Sequence, residues 1–194
     1  MGAQFLSVLL IATAPLGRQK VDEPVNPYEN AKVGDYAIYK MTTKVAGVSL
    51  DGSITQTVMA KVSKTVTIET VAKLNGMEVP GQKQVIDLTK PFDPTNVGGL
   101  PTERGATVEK LKEGKDKVKV GAKEYDARWE TYKVTTNAGG MAFEAEIKVW
   151  QAKGLAMPIV KMEMSANVVG NKMEMTMELT ETGNNAPDKK ESKK

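Results

Sequence analysis

PIVKMEMSANVVGNKMEMTMELTE, residues 158–181, carries an apolar side chain at almost every second position. Val160, Met162, Met164, Ala166 and Val168 share one parity, and Met173, Met175, Met177 and Leu179 take it up again after a break. Lys161, Glu163, Asn167, Lys172, Glu174 and Glu178 fill the other parity. Successive strand side chains point to opposite faces, so the stretch reads as two strands, each with an oily and a wet side. Gly170-Asn171 offers residues tolerant of positive φ for a two-residue hairpin loop. Folding there sets Val168 against Met173, Ala166 against Met175, Met164 against Met177 and Met162 against Leu179. Apolar meets apolar at every rung, as a specified register requires.

The same reading extends upstream. In MAFEAEIKVWQ (141–151), Met141, Phe143, Ala145, Ile147 and Val149 lie on one face, with Glu144, Glu146 and Lys148 on the other. After Val33-Gly34-Asp35, YAIYKMTTKV is rich in β-branched and aromatic residues. Asp51-Gly52 marks a hairpin turn before ITQTVMAKV (54–62) and TVTIETVAKL (65–74). Asn75-Gly76 marks another, setting Leu74 against Met77, Lys73 against Glu78 and Ala72 against Val79. Pro80-Gly81 then predicts a bulge or a strand end before KQVIDL (83–88). Residues 89–105, TKPFDPTNVGGLPTERG, are too rich in proline and glycine for a regular element, and loops of this length are often functional. Strands resume as ATVEKLK (106–112), a turn at Glu113–Asp116, KVKV (117–120) and KEYDARWETYKVTT (123–136), with a further turn at Asn137–Gly140. The expectation is an all-β domain over 34–183, an antiparallel meander of about ten strands. A twisted sheet of that many strands curls into a curved half-barrel or a closed barrel.

Composition narrows the chemistry. A chain of 194 residues buries roughly 70% of its unfolded surface and needs no staples. Cysteine is absent, which removes disulfides and thiolate metal sites. Histidine is absent too, which removes the commonest general base and metal ligand. Aromatics are 5% and are not interleaved with basic residues, so no nucleic-acid partner is expected. Phe5 to Ala14, FLSVLLIATA, is too short to span a bilayer and ends in Ala12-Thr13-Ala14, an A-x-A-like cleavage pattern. No Lys or Arg precedes it. Residues 1–14 therefore read as a signal peptide, 15–33 as a polar leader and 184–194 as a disordered basic tail. The expected protein is exported, periplasmic or secreted, with no transmembrane segment in the mature chain.

No catalytic motif is present: there is no nucleophile–His pair, HExxH, P-loop or GxGxxG, and no catalytic residue is assigned. Seven of eleven methionines lie between 141 and 177. Thioethers at M-x-M spacing suit Cu(I), but copper sites commonly add His or Cys, so no metal and no cofactor are expected. Methionine also fills irregular cores and lines soft apolar cavities. Met141, Phe143, Met162, Met164, Met175 and Met177 are the candidate wall of such a cavity. The strand carboxylates Glu144, Glu146, Glu163, Glu174 and Glu178 face outward by parity, where mixed charge serves solubility. Asp93, Glu103 and Arg104 stand in the long loop as a candidate polar site at a barrel mouth. Trp129, Trp150, Tyr36, Tyr39, Tyr125 and Tyr132 are candidates for core or cavity wall.

The C-terminal half runs through VGAKEYDA (120–127), VW-x-AK (149–153) and MPIVKMEM (157–164) into a last strand and a polar tail. This layout resembles the LolA/LolB-like lipoprotein carriers, open half-barrels whose apolar concave face holds acyl chains. The resemblance implies an exported protein with an apolar cavity. It departs from those carriers in lacking the helices that cover their concave face. The reading that results is a non-enzymatic binding or scaffold protein of the cell envelope, holding a lipid or acyl ligand. The alternatives are an envelope-protein partner engaged through strand edges or the 89–105 loop, and a hydrolase using Asp93 and Glu103.

Overall fold

Alternation carries the described residues into nine strands: β1 (Asp35–Val45), β2 (Val48–Val62), β3 (Thr65–Leu74), β4 (Met77–Asp87), β5 (Thr107–Val120), β6 (Lys123–Ala138), β7 (Met141–Ala152), β8 (Ile159–Val168) and β9 (Asn171–Asn184). The computed structural model describes residues 26–94, 97, 106–138, 141–168 and 171–185, excluding the side chains of 136–138, 141–143 and 168. The expected signal peptide, the leader through residue 25, Glu103, Arg104 and the tail beyond 185 lie outside the described residues. Among the described residues no helix is long and apolar enough to cross a membrane.

All nine strands join one antiparallel sheet in the order β4-β3-β2-β1-β9-β8-β7-β6-β5. Two meanders, β1–β4 and β5–β9, are zipped together by β1 against β9, where Asp35 pairs Asn184. The sheet does not close, because β4 and β5 are its edges. It is nonetheless strongly curled. β5 and β9 stand four places apart, about 19 Å in a flat sheet, yet approach within 8 Å between Cα atoms. Of the two forms expected from the sequence, this is the open, curved one.

This order also accounts for the long loop. Between β4 and β5 the chain must pass from one edge of the sheet to the other, which no tight turn can do. On the way it contributes Val97, fully buried, and packs Leu88 and Phe92 against the core. Residues 26–34 cover the core as well, with Tyr28 and Ala31 buried. Asn26 Oδ1 accepts from Tyr28 N–H at 3.1 Å, and the Lys61 ammonium donates to the Glu29 and Ala31 carbonyls.

Parity assigns the faces as expected. Val149, Met162, Met177 and Met41 form one continuous rung, and Ile147, Met164, Met175 and Thr43 the next. Met162 and Met177 are wholly enclosed, Met164 and Met175 nearly so. On the other side the rung Lys148–Glu163–Thr176–Thr42 is polar throughout. The register of the last hairpin differs from the expectation. Val168 pairs Asn171, Ala166 pairs Met173, Met164 pairs Met175 and Met162 pairs Met177. Moving the loop back by one residue shifts every rung by two, and an even shift leaves each side chain on its own face.

Two expected turns are strand interior, and the loss of the one at 113–116, which merges two expected strands into β5, brings the count from ten to nine. β1 and β2 turn at Ala46-Gly47, and β2 runs straight through Asp51-Gly52. Residues 113–116 lie inside β5, where Gly114 sits beneath its cross-strand partner, the Trp129 ring. The Asn75-Gly76 turn and its three pairs stand as read, with Asn75 and Gly76 both at positive φ. The register shifts between Thr70 and Ala72, opposite Pro80-Gly81. Both edges discourage pairing with another chain: β4 carries Pro80 and that bulge, and β5 carries five lysines and a bulge between Lys110 and Lys112.

Gln56, from β2, is fully buried with neither amide atom bonded to another described group. An unsatisfied buried polar group costs about 1–3 kcal/mol. Gln56→Met keeps the volume and removes the polar atoms, so it is expected to raise stability by about that amount. A urea midpoint below that of the parent chain would contradict this.

Candidate functional site

β6 departs from simple alternation. Arg128, Glu130, Tyr132 and Val134 share the parity of the buried face, since they pair Gln151, Val149, Ile147 and Ala145 of β7. Two charged residues on an oily face need partners. The edge strand supplies them: the bulge in β5 turns Lys110 and Glu113 toward the same side, opposite Tyr132 and Glu130. Glu130 is buried, accepts from the Tyr132 hydroxyl and from Lys110 Nζ at 2.6 Å, and forms an ion pair with Arg128 Nη2 at 3.0 Å. Glu113, half exposed, bridges the same cations at 2.5 Å from Lys110 Nζ and 2.5 Å from Arg128 Nη2.

The electrostatics follow from this network. Hydrogen bonds from Lys110 and Arg128 push the Glu113 carboxyl down to about 2. Burial, reinforced by the hydrogen bond to Glu130, pushes the Tyr132 phenol well up. Burial works against the Lys110 ammonium, but Glu113 and Glu130 outweigh it and hold the group above its ordinary value. Both cations and Glu113 therefore stay charged, and the phenol stays a donor, across the neutral range.

A hollow of about 290 Å³ opens beside the network, walled by Phe92 and Asp93 of the edge-to-edge crossing and by Val108, Arg128, Tyr132 and Gln151. Phe92 lies between Tyr132, edge-on at 6.2 Å, and Tyr28 at 6.3 Å. A larger hollow of about 750 Å³ adjoins it, lined by Asn26, Pro27 and Asn30 and by the β7–β8 connection from Ala152 to Pro158. Arg128 and Gln151 line both. The larger hollow falls in the volume range of small-molecule sites.

The residues expected from sequence divide as follows. Asp93 stands in the smaller hollow, whereas Glu103 and Arg104 lie outside the described residues. Met162 and Met177 are packed into the core. Met164 and Met175 border a third hollow, about 340 Å³, otherwise lined by wet-face groups such as Lys44, Lys148, Glu146 and Glu163. Met141 and Phe143 pair Ala138 and Thr136 in the β6–β7 ladder, and their side chains lie outside the described residues. Trp129 and Trp150 are cross-strand partners on the wet face, with Lys148 Nζ 4.3 and 4.5 Å from their ring centres. Among the described residues no group of three carboxylates is placed to hold a metal. Arg128, Glu130, Lys110 and Gln151 were not singled out from the sequence. The available signal was a pair of charges, Arg128 and Glu130, on the oily parity of RWETYKV (128–134).

No protein-family model matches the chain, and no curated protein does. A solved structure from Bacteroides fragilis NCTC 9343, with a YmcC-like fold and assigned by name to the exported proteins, is similar at a TM-score of 0.52. It is 10% identical, and the match covers 79% of this chain and 97% of that one. At that identity the likeness is one of fold.

Proposed function

We propose that this chain is an exported, non-enzymatic binding protein of the cell envelope, and that it holds an amphiphilic, acyl-bearing ligand in the joined hollows beside β6 and β7. The observation that carries this reading is the pair of hollows sharing Arg128 and Gln151, where apolar residues such as Phe92, Val108 and Leu155 stand among charged and amide side chains. The methionine face is filled by its own packing, so the ligand is assigned to the space beside it. Export is supported by the sequence of residues 1–14 and by the name of the structural neighbour. The likeness of the C-terminal half to the LolA/LolB-like carriers agrees with an acyl ligand. Blunted edges weigh against a partner added as an extra strand.

Native mass spectrometry of the protein purified from its own envelope tests the reading. A bound mass that dissociates as a lipid is the expected result. A bare chain that co-purifies with a second protein would replace the carrier with a scaffold.

A further inference from the structure

Arg128 spends one nitrogen on both of its carboxylates. Nη2 reaches Glu113 at 2.5 Å and Glu130 at 3.0 Å, while Nε and Nη1 have no partner among the described residues. A guanidinium has five N–H donors, so three remain. Gln151 is its direct cross-strand neighbour, and the Gln151 amide also has no partner among the described residues. Among the described residues these two alone line both the 290 Å³ and the 750 Å³ hollow. Arg128 and Gln151 thus stand where the two spaces meet. Glu130, buried and held by Lys110 and the Tyr132 hydroxyl, fixes the guanidinium from behind. Asp93 brings negative charge to the smaller hollow, whereas the larger one adds Lys153.

From this geometry we infer an anion-reading fork: Arg128 Nη1 and the Gln151 amide nitrogen, one prong from each residue, bind the carboxylate or phosphate of an amphiphile whose apolar part lies in the larger hollow. The inference rests on the binding function proposed above and adds the charge of the ligand's polar end. Nη2, held by Glu113 and Glu130, fixes the plane of the guanidinium and so the direction of the Nη1 donors, and the flexible point charge of Lys would not be held in that direction. Arg128 is then a binding residue, and Glu130 a positioning residue behind it.

Calorimetric titration of the full chain with palmitate, methyl palmitate, palmitoyl phosphate and inorganic phosphate tests the fork. The anionic amphiphiles are expected to bind about tenfold or more tightly than the neutral ester, the size of a charge-assisted hydrogen-bond pair. Arg128→Lys and Gln151→Leu should each reduce that preference, bringing the affinity for palmitate down toward that for methyl palmitate. The thermal melt of Gln151→Leu, which touches no ion pair, guards against a variant that fails to fold. Equal binding of ester and acid in the parent chain would overturn the fork and leave the acyl-binding function standing. Binding of inorganic phosphate alone would overturn both the amphiphile and the acyl reading, because the site would then serve a free anion. Binding of none of the four would sink fork and function together.

Discussion

Met162→Asp is expected to leave the domain unfolded, or to cost upwards of about 4 kcal/mol. Met162 is wholly enclosed and sits at the centre of a rung, between Val149 and Met177. A carboxylate there would lose its water without gaining a cation, because every neighbour on that face is apolar. Its chain neighbour provides the control. Glu163 lies on the wet face, half exposed, 2.9 Å from Lys161 Nζ. An exposed ion pair of this kind is worth little, so Glu163→Ala should stay within about 0.5 kcal/mol of the parent. Urea denaturation followed by tryptophan fluorescence separates the two. Similar midpoints for both variants would overturn the assignment of faces on which the fold description stands.

Gly52→Ala is the second large effect, and its cause is local crowding. Gly52 lies on the buried face of β2, between Met41 of β1 and Leu74 of β3. A methyl group there would run into the Lys73 carbonyl oxygen and would stand 2.9 Å from Leu74 Cδ2 and 3.4 Å from Met41 Cε. The side-chain ends can rotate away, but the carbonyl belongs to the backbone and cannot. β3 must therefore move, at a cost of about 1–3 kcal/mol by the usual scale of overpacking. Ser53→Ala, one position along and on the wet face, should be nearly silent. A Gly52→Ala chain as stable as the parent by denaturant midpoint would show that β2 and β3 are farther apart than described.

Gly52 also shows where the sequence was misleading. Asp-Gly is a strong hairpin signal, whereas Ala46-Gly47 is a weak one, yet the chain turns at Ala46-Gly47 with both residues at positive φ. A glycine selected for close approach of two backbones looks the same in sequence as a glycine selected for a turn. Alternation was more dependable because it is enforced by burial along a whole strand. The final hairpin kept both faces although its register moved by two, since loop position is set by a few backbone angles and the face by every side chain. The residues proposed for the site were harder to find. Arg128 and Glu130 are ordinary charges within β6, and only their pairing across to Lys110, Glu113 and Gln151 gives them a role. Lys110 and Glu113 face the site because of a bulge. A one-residue bulge leaves no mark in the sequence beyond a break in parity.

Most β domains fray from their ends inward, because terminal strands tend to lie at the margins. Here the first and last strands are neighbours in mid-sheet, and the margins belong to β4 and β5. Loss of either end would remove a keystone and divide the protein into two ribbons, of three and five strands without β1 and of four and four without β9. Attack by an exopeptidase past residue 184 would therefore report collapse of the whole molecule, not slow trimming of a loose tip.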